Sequence, residues 1–233
     1  MLGQIEFNGI KSYDDFNFVI SDIKIGEPTP NTIFASVPFQ NGVYDFSAIG
    51  GEITYSTRTI QVTFLLNKYE VFQERINSIY SIFKNKLYSD TFKPLKVSWL
   101  DGTFSARVSS ISDINLLEED RTIEVIFIAQ PFRTFEEYEG TDIWDNFNFE
   151  TDYVQYNSYD VEQKKEILLY NLSSIRAIPY IICNASGMSL IYKNKEYVLQ
   201  GGSNKPIRLE KGKNTITVKG TGNITFLWKR EVI

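Results

Sequence analysis

The sequence predicts a mainly β protein, and three observations carry that expectation. Aromatic residues make up 15% of the chain, with 17 Phe, 14 Tyr and 3 Trp, and aromatic and β-branched side chains suit the half-buried, pleated surface of a sheet. Apolar and polar residues alternate in many short runs, the period of a strand with one face covered. In the second half, turn residues interrupt those runs about every eight to twelve positions, as in an antiparallel sandwich or barrel. At 233 residues, 42% hydrophobic and 23% charged, the chain has the apolar content for a packed core and the length for two domains.

The elements follow in order. Ile60, Val62, Phe64 and Leu66 alternate with Thr59, Gln61 and Thr63 and read as a half-buried strand. From Tyr69 to Tyr88 the period changes: Phe72, Ile76, Ile79, Tyr80, Phe83 and Leu87 fall on one face of a helix. Asn67 is positioned as its N-cap, with Glu70 completing a capping-box pattern. This stripe reads as cover for one sheet face. A partner helix or a membrane surface is the alternative, and the mixed polar face argues against a membrane. Leu95, Val97 and Trp99 alternate, Asp101-Gly102 gives a hairpin signal, and Phe104, Ala106 and Val108 return. Ile123, Val125 and Phe127 form a further strand ending at Pro131.

Residues 131–160 differ. They hold eight acidic residues against Arg133 alone, a net charge of −7, which leaves +2 for the rest of a chain whose total is −5. Alternation fades here and returns near Ile167. The organisation read from this is a first domain over 1–132, an acidic linker over 133–141 and a second domain over 142–233. In the second domain Met188, Leu190 and Tyr192 alternate, Lys193-Asn194-Lys195 turns, and Tyr197 to Leu199 returns. Pro206 to Leu209 reads as a short strand, Glu210 to Asn214 turns, and Ile216 with Val218 alternates. Gly220-Thr221-Gly222-Asn223 turns again before Ile224, Phe226 and Trp228. That alternation makes Trp228 a core or edge residue ahead of a ligand platform.

Composition removes most chemistry. There is no histidine, so Ser-His-Asp and Cys-His nucleophiles and HExxH zinc sites are excluded. The single cysteine, Cys183, forms no intrachain disulfide, fits a reducing cytosol and sits in an apolar run as a small hydrophobe. Gly201-Gly202 and Gly220-Thr221-Gly222 lack the Lys-Ser/Thr of a phosphate loop and read as turn glycines. Glu118, Glu119 and Asp120 are paired acids in a charged loop, held only as a remainder hypothesis for glycoside hydrolysis. The acidic stretch lacks a calcium-loop pattern and reads as solvated surface. No cofactor, metal or catalytic residue is expected. Acidity argues against nucleic-acid binding. No apolar run reaches the length of a membrane span, and MLGQIEFNGI lacks the pattern of a secretory signal. The sequons at Asn171, Asn184 and Asn223 are read as accidental.

What remains is surface for binding. Val37, Phe39, Val43 and Tyr44 sit among turn formers rather than in a long strand, and exposed aromatics in such a loop suit burial by a neighbour. The alternative is that they fold back on their own sheet.

The segment Val37-Pro38-Phe39-Gln40-Asn41-Gly42-Val43-Tyr44-Asp45-Phe46-Ser47, then Tyr55-Ser56-Thr57-Arg58, resembles the distal tail (Dit) proteins of long, non-contractile-tailed bacteriophages. Phe7-Asn8-Gly9-Ile10, the helix after the Thr59–Leu66 strand, Asp101-Gly102, Arg107-Val108 and Pro131-Phe132 fit the same pattern. So do Ile182-Cys183-Asn184-Ala185-Ser186-Gly187, Asn214-Thr215-Ile216 and the last Gly-Thr-Gly turn. One departure is Phe39-Gln40, where relatives often carry Gly-Arg. The resemblance implies an N-terminal β-barrel or sheet domain with one α-helix at about 69–88 and a galectin-like C-terminal β-sandwich. It implies a non-enzymatic homo-hexameric ring at the distal end of the tail, in the virion of a phage of a Gram-positive host, assembled in the host cytoplasm. The implied partners are the tail tube protein, a tail-associated lysin or fibre protein and receptor-binding proteins. Val37, Phe39, Asn41, Val43, Tyr44 and Arg58 are the expected ring-interface residues. Galectins bind sugar through a histidine that this chain lacks, so that site is not inherited with the fold. The second domain, about 90 residues, is too short for the long inserted arm of some relatives. The alternative function is a carbohydrate-binding adhesion module built on the second domain.

Overall fold

The computed structural model describes residues 3–66, 73–113, 122–140 and 155–233. The chain divides into two compact units, one of Met1–Arg133 with Ile233 and one of Thr134–Val232.

The first unit contains β1 (Ile5–Phe7), β2 (Ile10–Lys11), α1 (Ser12–Phe16), β3 (Phe18–Ile25), β4 (Phe34–Ala35), β5 (Tyr44–Asp45), β6 (Arg58–Leu66), α2 (Gln73–Leu87), β7 (Lys93–Val97), β8 (Thr103–Ile111) and the start of β9 (Thr122–Tyr138). Its main sheet runs β2-β1-β7-β8-β9-β6-β3, while β4 and β5 pair only with each other. The expected alternation holds: Ile60, Val62, Phe64 and Leu66 on β6, Phe104, Ala106 and Val108 on β8, and Ile123, Val125 and Phe127 on β9 are all buried. Helix α2 covers them as its spacing predicts. Ile76, Phe83 and Leu87 are buried, and the Phe83 ring lies 4.6 Å from Phe18, 5.3 Å from Phe16 and 5.6 Å from Phe64. Asn67, Glu70 and Phe72 lie outside the described residues.

Three local readings change. The turn after β7 spans Ser98 to Gly102, closed by Leu100 N–H to Val97 O at 3.0 Å, and only Gly102 has positive φ. Trp99 therefore sits in the turn, more than half exposed, and not on a strand face. Strand β9 runs through Pro131 to Tyr138, so the first residues of the expected linker are strand. A proline removes a donor from a ladder. Here the β6 pairing ends at Arg58–Ala129, two residues earlier, so no rung on that side is lost. Helix α1 was not anticipated. It is one short turn ended by Asn17 in the left-handed conformation, whose N–H reaches Tyr13 O at 2.8 Å.

The second unit carries the end of β9, then β10 (Ser158–Val161), β11 (Lys164–Asn171), β12 (Tyr180–Cys183), β13 (Ser189–Tyr192), β14 (Lys195–Val198), β15 (Gly202–Asn204), β16 (Gly212–Lys219), β17 (Gly222–Leu227) and β18 (Lys229–Val232), which pairs with β9. Two four-stranded antiparallel sheets, β10-β17-β12-β15 and β11-β16-β13-β14, share one core in a β-sandwich. Lys193 and Asn194 both have positive φ, which is the two-residue turn that a tight hairpin demands. Pro206 to Leu209 is not a strand: Gly202–Asn204 pairs with β12 instead, and Leu209 makes only an isolated bridge to Ala177. Cys183 and Trp228 are buried.

The β14 and β16 turns are tied by Asn214. Its side-chain oxygen accepts from Glu210 N–H at 2.8 Å and Tyr192 OH at 2.6 Å, and its amide donates to Glu210 O and Gly212 O. The Glu210 carboxylate pairs with Lys193 and, at 2.7 Å, with Arg176. Hydrogen bonding from Lys193 holds it below the ordinary carboxylate pKa against its partial burial, with Arg176 adding to the effect.

Two outcomes follow for stability. Phe83→Ala opens a cavity beneath α2 and lowers the unfolding free energy of the first unit by about 3–5 kcal/mol, read by denaturant titration. Because the folded pKa of Glu210 is depressed, its contribution to the second unit is complete above the unfolded carboxylate value and fades as pH falls below it. Glu210→Gln flattens that acid limb in a pH series of thermal melts.

Candidate functional site

Strands β3 and β6 continue beyond their ladder. Ile25 pairs with Ile60, Gly26 N–H bonds Thr59 O at 2.8 Å, Ser56 N–H bonds Thr29 O at 2.9 Å, Pro30 bridges Tyr55, and Asn31 N–H bonds Thr54 O at 2.8 Å. A Cβ on Gly26 would stand 3.0 Å from Thr59 O, so glycine permits this close approach. The two limbs then lead to the β4–β5 hairpin, where Phe34 pairs with Asp45 and Ala35 with Tyr44. Ser47 holds its base: the hydroxyl accepts from Ile33 N–H at 2.9 Å, and Ser47 N–H bonds the Asp45 carboxylate at 2.9 Å. Both Ser47 groups hold the Asp45 pKa below its ordinary value.

This arm has no core. Every residue from Asn31 to Phe46 is exposed, including Ile33, Phe34, Val37, Phe39, Val43, Tyr44 and Phe46, and the loop beyond adds Ile49 and Ile53. A monomer surface normally scatters its apolar side chains singly, and a contiguous patch marks a contact site. At the tip, Gln40 N–H bonds Val37 O at 3.2 Å and Tyr44 OH donates to the Gln40 side chain at 3.2 Å. Phe39 has φ +65° and is as exposed as in an extended peptide. A bulky side chain in the left-handed region costs roughly 1–2 kcal/mol, and strain of this kind clusters at functional sites.

Five of the six expected interface residues, Val37, Phe39, Asn41, Val43 and Tyr44, come together on this hairpin and do not fold back on their own sheet. Arg58 does not join them. Its side chain is only 2% exposed. Nε donates to Gly26 O at 2.7 Å and Nη1 to Pro131 O at 3.1 Å, Nη2 lies 3.3 Å from Glu27, and the guanidinium stands 5.5 Å from the Phe104 ring. Burial lowers its pKa, with Glu27 opposing. Arg58 therefore fastens the root of the arm. Sequence reasoning missed Ile33, Phe34, Phe46, Ile49 and Ile53, although the signal was present: apolar residues among turn formers, with no basic residue between Glu27 and Thr57.

Little else suggests chemistry. Among the described residues no three His, Cys, Asp or Glu side chains converge to hold a metal. Glu118, Glu119 and Asp120 lie outside the described residues. No family model and no curated protein matches the sequence.

Solved structures do match. The crystal structure of the SPP1 Dit protein, described as a paradigm of the hub adsorption apparatus in phages infecting Gram-positive hosts, aligns over 100% of both chains with a TM-score of 0.68 at 11% identity. The chain has the Dit fold. Two structures of the phage P2 baseplate in its activated conformation, with Ca and with Sr, align at 10% identity. They cover 99% and 98% of this chain and 98% and 97% of theirs, and their TM-scores of 0.35 and 0.34 are too low to bear on the fold.

The arm and its root respond differently to substitution. Arg58→Met removes the donor that the Gly26 and Pro131 carbonyls share and lowers stability by about 1–3 kcal/mol. Phe39→Ser changes the stability of the free monomer by less than about 0.5 kcal/mol. Urea titration of the two variants checks the contrast.

Proposed function

We propose that this protein is a structural component of a phage tail tip, a distal tail protein whose copies close into a hexameric ring. The exposed apolar arm is the observation that carries the reading. Burying a large apolar side chain is worth about 1.5–3 kcal/mol. Seven half-exposed or exposed ones on a single hairpin therefore bring a gross gain on the order of 10 kcal/mol, enough to offset much of the cost of association. The Dit fold over the whole chain and the absence of histidine support a role in assembly, without turnover of a substrate.

In this reading the arm of one copy lies on the next, and each subunit meets two neighbours. Obligate interfaces of this kind bury ~2,000–5,000 Å². The ring joins the tail tube to a tail-associated lysin or fibre protein and to receptor-binding proteins, at the distal end of the virion tail. The adhesion alternative has weaker support. Trp228 is buried, and the exposed Tyr180 ring carries the Lys205 ammonium 3.7 Å from its centroid, on a face that a sugar would need.

Negative-stain images and light scattering of the purified chain test the proposal. The expected result is a ring of six copies with a central opening. Phe39→Ser with Tyr44→Ser shifts it to folded monomer. A wild-type chain that stays monomeric at high concentration, or a double variant that keeps the ring, overturns it.

A further inference from the structure

A ring needs a second surface. Head-to-tail closure joins two different patches of the same chain, so the arm must meet something other than another arm. Within the first unit, the described large apolar residues that stand exposed outside the arm are Ile82, Tyr88, Phe92, Trp99 and Ile233. Ile82 stands apart on the outer face of α2. Trp99 lies over Gly3, where a Cβ would be 2.3 Å from its ring. Tyr88 and Phe92 belong to one tight turn between α2 and β7. Tyr88 N–H extends the helix to Lys84 O at 3.3 Å, and the Ser89 hydroxyl bonds Thr91 O at 2.8 Å.

Charge separates this turn from the other candidates. Residues 84–93 hold Lys84, Lys86 and Lys93 against Asp90, a net of +2, whereas residues 28–57, beyond the Glu27–Arg58 pair at the root, hold Asp45 and Glu52 with no basic residue, a net of −2. The helix macrodipole accounts for lysines in the last turn of α2, and Lys84 is also 4.0 Å from Asp113. It does not account for Lys93 at the start of β7, nor for two half-exposed aromatics between the lysines. An apolar, acidic arm and an aromatic, basic turn are complementary in both respects that fix register and partner.

We propose that the α2–β7 turn, centred on Tyr88 and Phe92, receives the arm of the adjacent copy. This rests on the ring reading above and names the receiving surface. The experiment uses two variants of the full chain: Phe39→Ser with Tyr44→Ser, which removes the arm contact, and Tyr88→Ser with Phe92→Ser, which removes the turn. Native mass spectrometry is expected to show each alone as a monomer. A one-to-one mixture is expected to give a dimer and nothing larger, because one partner supplies an intact turn and the other an intact arm. Lys86→Glu with Lys93→Glu, both away from the core, covers the case in which the aromatic variant fails to fold. It is expected to weaken association tenfold or more at low salt, an effect that shrinks as salt rises. Turn variants that still form the ring while the arm variant is monomeric overturn this proposal and leave the ring reading intact. An arm variant that still forms the ring sinks the ring reading itself.

Discussion

The buried guanidinium of Arg58 is the constraint on which the arm depends. A charge removed from water must be partnered, and Arg58 meets that demand with two backbone carbonyls and one carboxylate. Those partners come from separate parts of the chain: Gly26 and Glu27 at the end of β3, and Pro131 within β9. The interaction is therefore a clamp at the point where the β3–β6 ladder leaves the sheet. Tyr55, edge-on to Phe132 at 5.5 Å, adds a second contact at the same level. Below this point the limbs share the core of the first unit. Above it the limbs pair with each other.

A two-stranded hairpin with no covering layer is marginal in water. The direction of this one is set at its root, while its tip keeps a strained Phe39 and a row of apolar side chains in solvent. Nothing in the first unit's own core gains from those residues. The sheet and α2 supply stability for the subunit, and on the ring reading proposed above the arm keeps its apolar surface for a neighbour. Asn214 and Glu210 play the corresponding stabilising role in the second unit, where saturated side-chain bonds close the turns of the sandwich.

The sequence was most legible where one residue type has one structural meaning. Alternation placed the buried faces of β6, β8 and β9, and the change to a helical period placed α2 on the sheet. The Lys193-Asn194 turn and the core position of Trp228 were also readable. Legibility failed where tertiary context overrides a local signal. Pro131 looked like a strand end, yet β9 passes through it because β6 has already stopped pairing. Asp101-Gly102 looked like a two-residue turn, yet the loop takes five residues and lifts Trp99 out of the strand. For the candidate site, the turn-rich apolar segment was visible but its extent was not, since exposure of Ile33, Phe34 and Ile49 follows from the absence of a covering layer. The place of Arg58 was not legible for the opposite reason. The resemblance grouped it with the interface residues, and only the fold brings Gly26 and Pro131 to it.

On the ring reading proposed above, self-association by the arm has a sign problem that its own composition resolves. Two arms laid against each other in a two-fold dimer would set one acidic, base-free segment against another, and like-charge juxtaposition disfavours that pairing. The apolar residues alone do not distinguish a two-fold pair from a head-to-tail chain, because burial is non-directional. The acids do, by penalising the symmetric arrangement and favouring a basic surface elsewhere on the subunit. Hydrophobic burial would then set how tightly copies hold, and charge would set that they hold in sequence around a ring.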